Sequence, residues 1–150
     1  MTALDTNLHG NVHGGVIMKL VDDVGGAVAA RHCGGRAVTV SMDEMVFHVP
    51  VHVGDLVHAS AQVNWTGRTS MEVGVRVVAE RWDDISVPQV HTGSAYLVYV
   101  ALDDEGSPRE VPPGLPETPD ERRRWREAEI RRASRLARRE AIIRDRQRSD

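Results

Sequence analysis

Two aspartates stand side by side in the run "GGVIMKLVDDVGGAVAARHC", inside a helical pattern. A carboxylate can take a proton from water or attack an acyl carbon directly. Which of the two is free to do so follows from spacing. Lys19 lies four residues before Asp23, the interval of a surface ion pair on one helix face. Asp22 has no such neighbour. At 100° per residue it shares a side with Gly15, Met18, Gly25, Gly26 and Ala29, nearly all small. Small residues let a second backbone approach closely, which reads Asp22 as a carboxylate set into a contact surface. A solvated Asp22, beside glycines that serve only packing, fits the spacing equally well.

The residues ahead of the helix add a second element. "DTNLHGNVHGG" brings Asn7, His9, Asn11 and His13 up to the helix N-terminus. The free N–H groups of Gly14 and Gly15 there suit an oxyanion or a phosphate. Asn11 is of the N-capping type, which does not prevent a substrate oxygen from using the same helix end. His13 projects to the core side of the wheel. His32, His48, His52, His58 and His91 are scattered without partners at ligand spacing, so no metal is expected. The one cysteine, Cys33, excludes an intrachain disulfide and reads as a small buried residue.

The elements that must position these groups are legible in the hydrophobic pattern. Val16, Ile17, Leu20, Val21, Val24, Ala27 and Val28 recur at three- and four-residue steps from Gly14 to about His32. Of these, Val16, Ile17, Leu20, Val24 and Ala27 lie together and should face a sheet. "HCGGR" ends the helix with glycines. Four strand-like runs follow, over Arg36–Val49, Asp55–Trp65, Met71–Trp82 and His91–Asp103. Turns separate the first three, at Pro50–Gly54 and Thr66–Ser70. The expected architecture is α+β: a curved antiparallel meander wrapped around one long central helix, a hotdog-like fold. A sheet this small leaves open edges, and pairing across them would join two copies.

At 150 residues one compact domain is expected, spanning residues 1–112. A proline-rich exit and a basic helical tail occupy 113–150. No apolar run approaches a membrane span, and the first residues lack a signal-peptide pattern, so a cytoplasmic protein is expected. The net charge of −3 conceals a division. Residues 121–150 carry +6 and residues 1–120 carry −9. That opposition favours packing of the first half of the tail over a neighbouring subunit's acidic body, with the last residues frayed. It argues against the nucleic acid that an arginine run would otherwise suggest.

Taken together, "DTNLHGNVHGG", "IMKLVDDVGG", "AARHC" and "FHVPVHVGD" resemble the acyl-CoA thioesterases of the hotdog superfamily. The closest likeness is to the brain-type cytosolic acyl-CoA hydrolases and their bacterial single-domain relatives. The likeness extends through "EVPPGLPET" into the charged helix. It implies hydrolysis of fatty acyl-CoA without a cofactor, at a site on a dimer interface formed by a loop asparagine and a helix aspartate. On this sequence these are Asn7 and Asp22, and further assembly as a trimer of dimers is implied. The same likeness makes Arg68, Thr69 and Ser70, in the "TGRTS" turn, the expected contacts to CoA, although a plain hairpin turn fits that stretch as well. The family usually has a strand before "DTN", where only "MTAL" stands here. A hotdog module that binds acyl-CoA without cleaving it is the alternative, but it would not need Asp22. A hotdog dehydratase would need a helix histidine, absent between Val16 and Arg31.

Overall fold

The computed structural model describes all residues but Ile85 and Asp150, and not the side chain of Ser149. After a short 3-10 turn at Ala3–Asp5, helix α1 spans Gly14–Cys33. Strands β1 (Ala37–Phe47), β2 (Leu56–Thr66), β3 (Ser70–Glu80) and β4 (Val90–Ala101) follow, and helix α2 (Pro119–Ser149) closes the chain. Helix α1 stops where Gly34 takes φ 65°, the left-handed conformation that glycine adopts without a Cβ penalty. Thr118 and Glu121 cap the start of α2 reciprocally: Glu121 N–H donates to Thr118 Oγ1, and Thr118 N–H to Glu121 Oε2.

The sheet is antiparallel in the order β1-β4-β3-β2. The expected meander therefore holds only for β2, β3 and β4. The segment after β1 turns at His52–Asp55 but carries the chain across the sheet, and β1 pairs with β4 at the far side. β1 and β2 are left as edges. Odd-numbered residues of β3 and β4 form one layer, through cross-strand pairs Met71–Tyr99, Val73–Leu97 and Val75–Ala95, all buried.

Against this layer α1 buries Ile17, Val21, Gly25, Ala29 and Cys33, a line at four-residue steps. The helical wheel placed Gly25 and Ala29 on the opposite side, with Leu20, Val24 and Ala27 inward. The structure keeps Ile17 buried and Val16 packed on the core as the wheel has them, but it buries Gly25 and Ala29 and leaves Ala27 exposed, because room decides the docking line. Tyr99 rises from β4 under the helix, and a Cβ on Gly25 would lie 2.4 Å from its hydroxyl oxygen. Only glycine allows this approach, whereas a Cβ on Gly26 would stand 3.7 Å from the same ring, an ordinary contact. Gly25→Ala should therefore destabilise the fold by about 1–3 kcal/mol through overpacking. Gly26→Ala should stabilise it by up to about 1 kcal/mol through helix propensity. Thermal unfolding of the two variants checks the opposite signs, at roughly 2–4 °C per kcal/mol for a chain of this size.

The first half of α2 lies on the outer face of the chain's own sheet, not on a neighbour. Trp125 meets Trp65 of β2 at 6.2 Å between ring centroids. Arg131 grips Glu72 of β3 with two hydrogen bonds, at 2.6 and 3.1 Å, and lies 3.6 Å over the Tyr96 ring of β4. Arg135 pairs with Asp43 of β1. Glu72 is 3 % exposed, a buried charge made tolerable by this bidentate partner and by Asn64. The described tail is helical as far as Ser149.

Candidate active site

Asp22 sits on the flank of α1 that faces β1 and β4. Its Oδ1 accepts a 2.6 Å hydrogen bond from the Thr39 hydroxyl. The Tyr99 hydroxyl donates to the Asp22 carbonyl at 3.1 Å and reaches Oδ1 at 3.4 Å. Burial pushes the Tyr99 phenol up to about 12; the Thr39 hydrogen bond acts against this, and the neighbouring Asp22 charge adds to it. Tyr99 is therefore a neutral donor across the physiological range. Two hydroxyls thus fix one carboxylate oxygen, while Oδ2 accepts no hydrogen bond among the described residues. One anchored and one open oxygen is the arrangement a base or nucleophile requires. Asp23 keeps the surface role read from its spacing, paired with Lys19 at 2.6 Å.

Neither hydroxyl was singled out from the sequence. Thr39 is an isolated polar residue in the valine-rich start of β1, and Tyr99 is a tyrosine in an apolar strand whose hydroxyl must find a partner. Both signals were present, but only the register joins them: Thr39 and Tyr99 are opposite one another across β1 and β4.

The loop before α1 forms a small hairpin closed by the Thr6–Val12 bridge. Within it Asn7 Oδ1 accepts from the N–H groups of His9 at 2.9 Å and Asn11 at 3.3 Å. Because two backbone donors occupy the oxygen, the amide Nδ2 is the group Asn7 has left to offer, and it offers hydrogen, not a lone pair. Asn7, Asn11 and Gly14 line one cavity of about 300 Å³ with Ile17, Phe47 and Val51. Asn11 does not cap the helix; it forms a bridge with His52. His13, exposed and not turned to the core, is the cap, accepting from Gly15 N–H through Nδ1 at 2.9 Å. Of the two glycine amides expected to meet an oxyanion, Gly15's is thereby occupied. That of Gly14 has no acceptor among the described residues.

The structure does not bring Asp22 into this cavity. It lies eight residues along α1 from Gly14, about 12 Å of axial rise. Arg68, Thr69 and Ser70 are farther still. Their turn is fastened to the end of β4, with Ala101 N–H donating to Thr69 O at 3.0 Å, beside the C-terminal end of α1. Twenty helical residues separate that end from Asn7, about 30 Å. Arg68 is exposed and forms no ion pair among the described residues. The described residues contain no cluster that could hold a metal ion, and no described helix is long and apolar enough to cross a membrane.

The chain belongs to the thioesterase superfamily, whose family model matches residues 9–83. Its sheet, wrapped on α1, is the hotdog fold of that superfamily. It is 44 % identical over 127 residues to the cytosolic acyl coenzyme A thioester hydrolase of Mus musculus, covering 85 % of this chain and 33 % of that protein. The chain thus spans about a third of the length of that relative. Among solved structures it is similar to an acyl-CoA hydrolase from Staphylococcus aureus in complex with butyryl coenzyme A, coenzyme A and coenzyme A disulfide. The TM-score is 0.86 at 34 % identity, over 97 % of this chain and 87 % of the other. That hydrolase has also been solved with alanine in place of one asparagine, one aspartate and one threonine. An apo-hexameric acyl-CoA thioesterase superposes with TM-score 0.86 at 33 % identity, over 92 % of this chain and 87 % of that one.

Proposed function

We propose that the protein hydrolyses acyl-CoA thioesters to a free carboxylic acid and CoA. The observation that carries this reading is the Asp22 carboxylate, held at Oδ1 by Thr39 and open at Oδ2. A module that only binds acyl-CoA has no use for such a group. Support comes from intervals: the three residues replaced in the Staphylococcus aureus hydrolase are fifteen and seventeen positions apart in the order Asn, Asp, Thr. Asn7, Asp22 and Thr39 stand at the same intervals.

In the reaction, Asn7 Nδ2 and the Gly14 amide donate to the thioester oxygen as it gains negative charge. Asp22 Oδ2 takes a proton from water while the water oxygen bonds to the acyl carbon. The tetrahedral intermediate collapses, the C–S bond breaks, and the CoA sulfur leaves with the proton held by Asp22. In the nucleophilic variant Oδ2 itself bonds to the acyl carbon and expels CoA thiolate, and water then opens the mixed anhydride.

Because Asp22 and the Asn7 cavity lie apart along one α1, the site is completed between two copies, Asn7 from one and Asp22 from the other. The exposed edge of β1 is the natural seam, and a homodimer is the minimal active unit. A trimer of dimers accords with the hexameric relative. In an antiparallel pair the Arg68–Ser70 turn of one copy comes to the Asn7 end of the other, where it can take the CoA phosphates. A cytosolic location accords with the mouse protein's name. The test is thiol release across acyl-CoAs of graded chain length: hydrolysis should appear with a defined length optimum. Tight binding of every acyl-CoA with no thiol release would assign the chain to the binding modules instead.

A further inference from the structure

The anchors of α2 cross the sheet in its spatial order, from Trp65 on β2 through Glu72 on β3 and Tyr96 on β4 to Asp43 on β1. From Trp125 to Arg135 the helix advances about 15 Å, which matches three strand spacings of about 4.8 Å. Past Arg135 no sheet remains beneath it. The residues from 136 to 149 continue for about 21 Å beyond the free edge of β1. All of them with a described side chain are exposed, including Leu136, Ile142 and Ile143 at 39 %, 47 % and 43 %. Ile142, 100° per residue from Arg131 and Arg135, stays on the side of α2 that faces the sheet. Arg138, Arg139 and Arg146 stand around it on the same helix.

The edge beneath is complementary. Val38 and Val46 expose apolar surface, at 40 % and 37 %, and the register with Val100 and Ser94 puts both on the outer, α2-side face. Glu44, opposite Tyr96 on the same face, is exposed and has no ion pair or hydrogen bond among the described residues. A sheet continued across β1 by a two-fold axis perpendicular to it keeps the same face outward in both copies.

We infer that the distal half of α2 is a strap for a second copy of this chain. It lies over the joined β1 strands, with Ile142 on the apolar edge and Arg138, Arg139 or Arg146 on the second copy's Glu44. The strap rests on the dimer of the proposed function. The occupant is a second copy and not an anionic membrane, because the overhang, the apolar edge and the unpaired acid lie on one face of one seam.

Sedimentation equilibrium of the full-length chain tests it. The Ile142→Asp/Ile143→Asp double variant should weaken dimerisation at least tenfold with its far-UV circular dichroism unchanged. Glu44→Arg should weaken it comparably at low salt, and less at 0.5 M salt. Unchanged dimerisation in both variants overturns the strap. If, in addition, the double variant loses binding to phosphatidylserine vesicles, the helix serves a membrane surface. Thiol release by the unaltered chain is followed in parallel. An active dimer insensitive to both changes refutes the strap alone, whereas an inactive monomer refutes the proposed function itself.

Discussion

Asp22→Ala lowers kcat for acyl-CoA hydrolysis by about 10³-fold, the scale of a lost general base. The fold and assembly persist, because the Asp22 side chain is only half-buried and its partner Thr39 is exposed to water. Asp22→Asn separates the two oxygens. Its amide oxygen still accepts from Thr39, but the position of Oδ2 now carries an NH₂ group that can neither accept a proton nor attack carbon. It should be as inactive as the alanine variant, with an unchanged melting temperature. Thiol release under saturating substrate, with size-exclusion chromatography on the same samples, measures both. Near-normal turnover by either variant removes Asp22 from the reaction. Mass spectrometry of acid-quenched wild-type enzyme during turnover then distinguishes the routes: an acyl adduct on the Asp22 peptide marks the nucleophilic one.

Mixing two dead enzymes restores activity. Asn7→Ala and Asp22→Ala variants, each inactive alone, form mixed dimers in which one site carries both lesions and the other carries neither. At equal amounts half of the dimers are mixed, so about a quarter of the wild-type activity returns once subunits exchange. If each site were built within one chain, every site in every dimer would hold a lesion and no activity would return. The difference between a quarter and nothing is large enough to survive incomplete exchange. The structure motivates the experiment, since about 12 Å of helix separates Asp22 from the end of α1 that holds Asn7.

Much of this was legible in the sequence, though not always for the right reason. The four strands and both helices follow from periodicity and turn residues, and Asp23 was separated from Asp22 by the position of Lys19 alone. The wheel then assigned Gly25 to a partner-facing surface, because hydrophobicity scales give glycine no claim on a core. The claim comes from the size of Tyr99, a residue 74 positions away, and no local pattern encodes it. Strand order escaped for a related reason. "PVHVG" does contain a turn, but a turn does not state which strand the chain joins after it. The division of charge points the tail at acids on a neighbour. Its partners are Glu72 and Asp43 on the outer face of its own sheet, and an acid in a strand does not itself tell whether a helix or water covers it.

The fit of Tyr99 beneath Gly25 has a consequence for how this chain can diverge. Positions 25 and 99 amount to one heritable character. A methyl group gained at the first is eased by loss of the hydroxyl at the second, and that loss also releases Asp22 from one of its two donors. Neutral drift at the glycine is therefore closed off by the chemistry next to it. Gly26, one residue on and free of that constraint, is open to substitution.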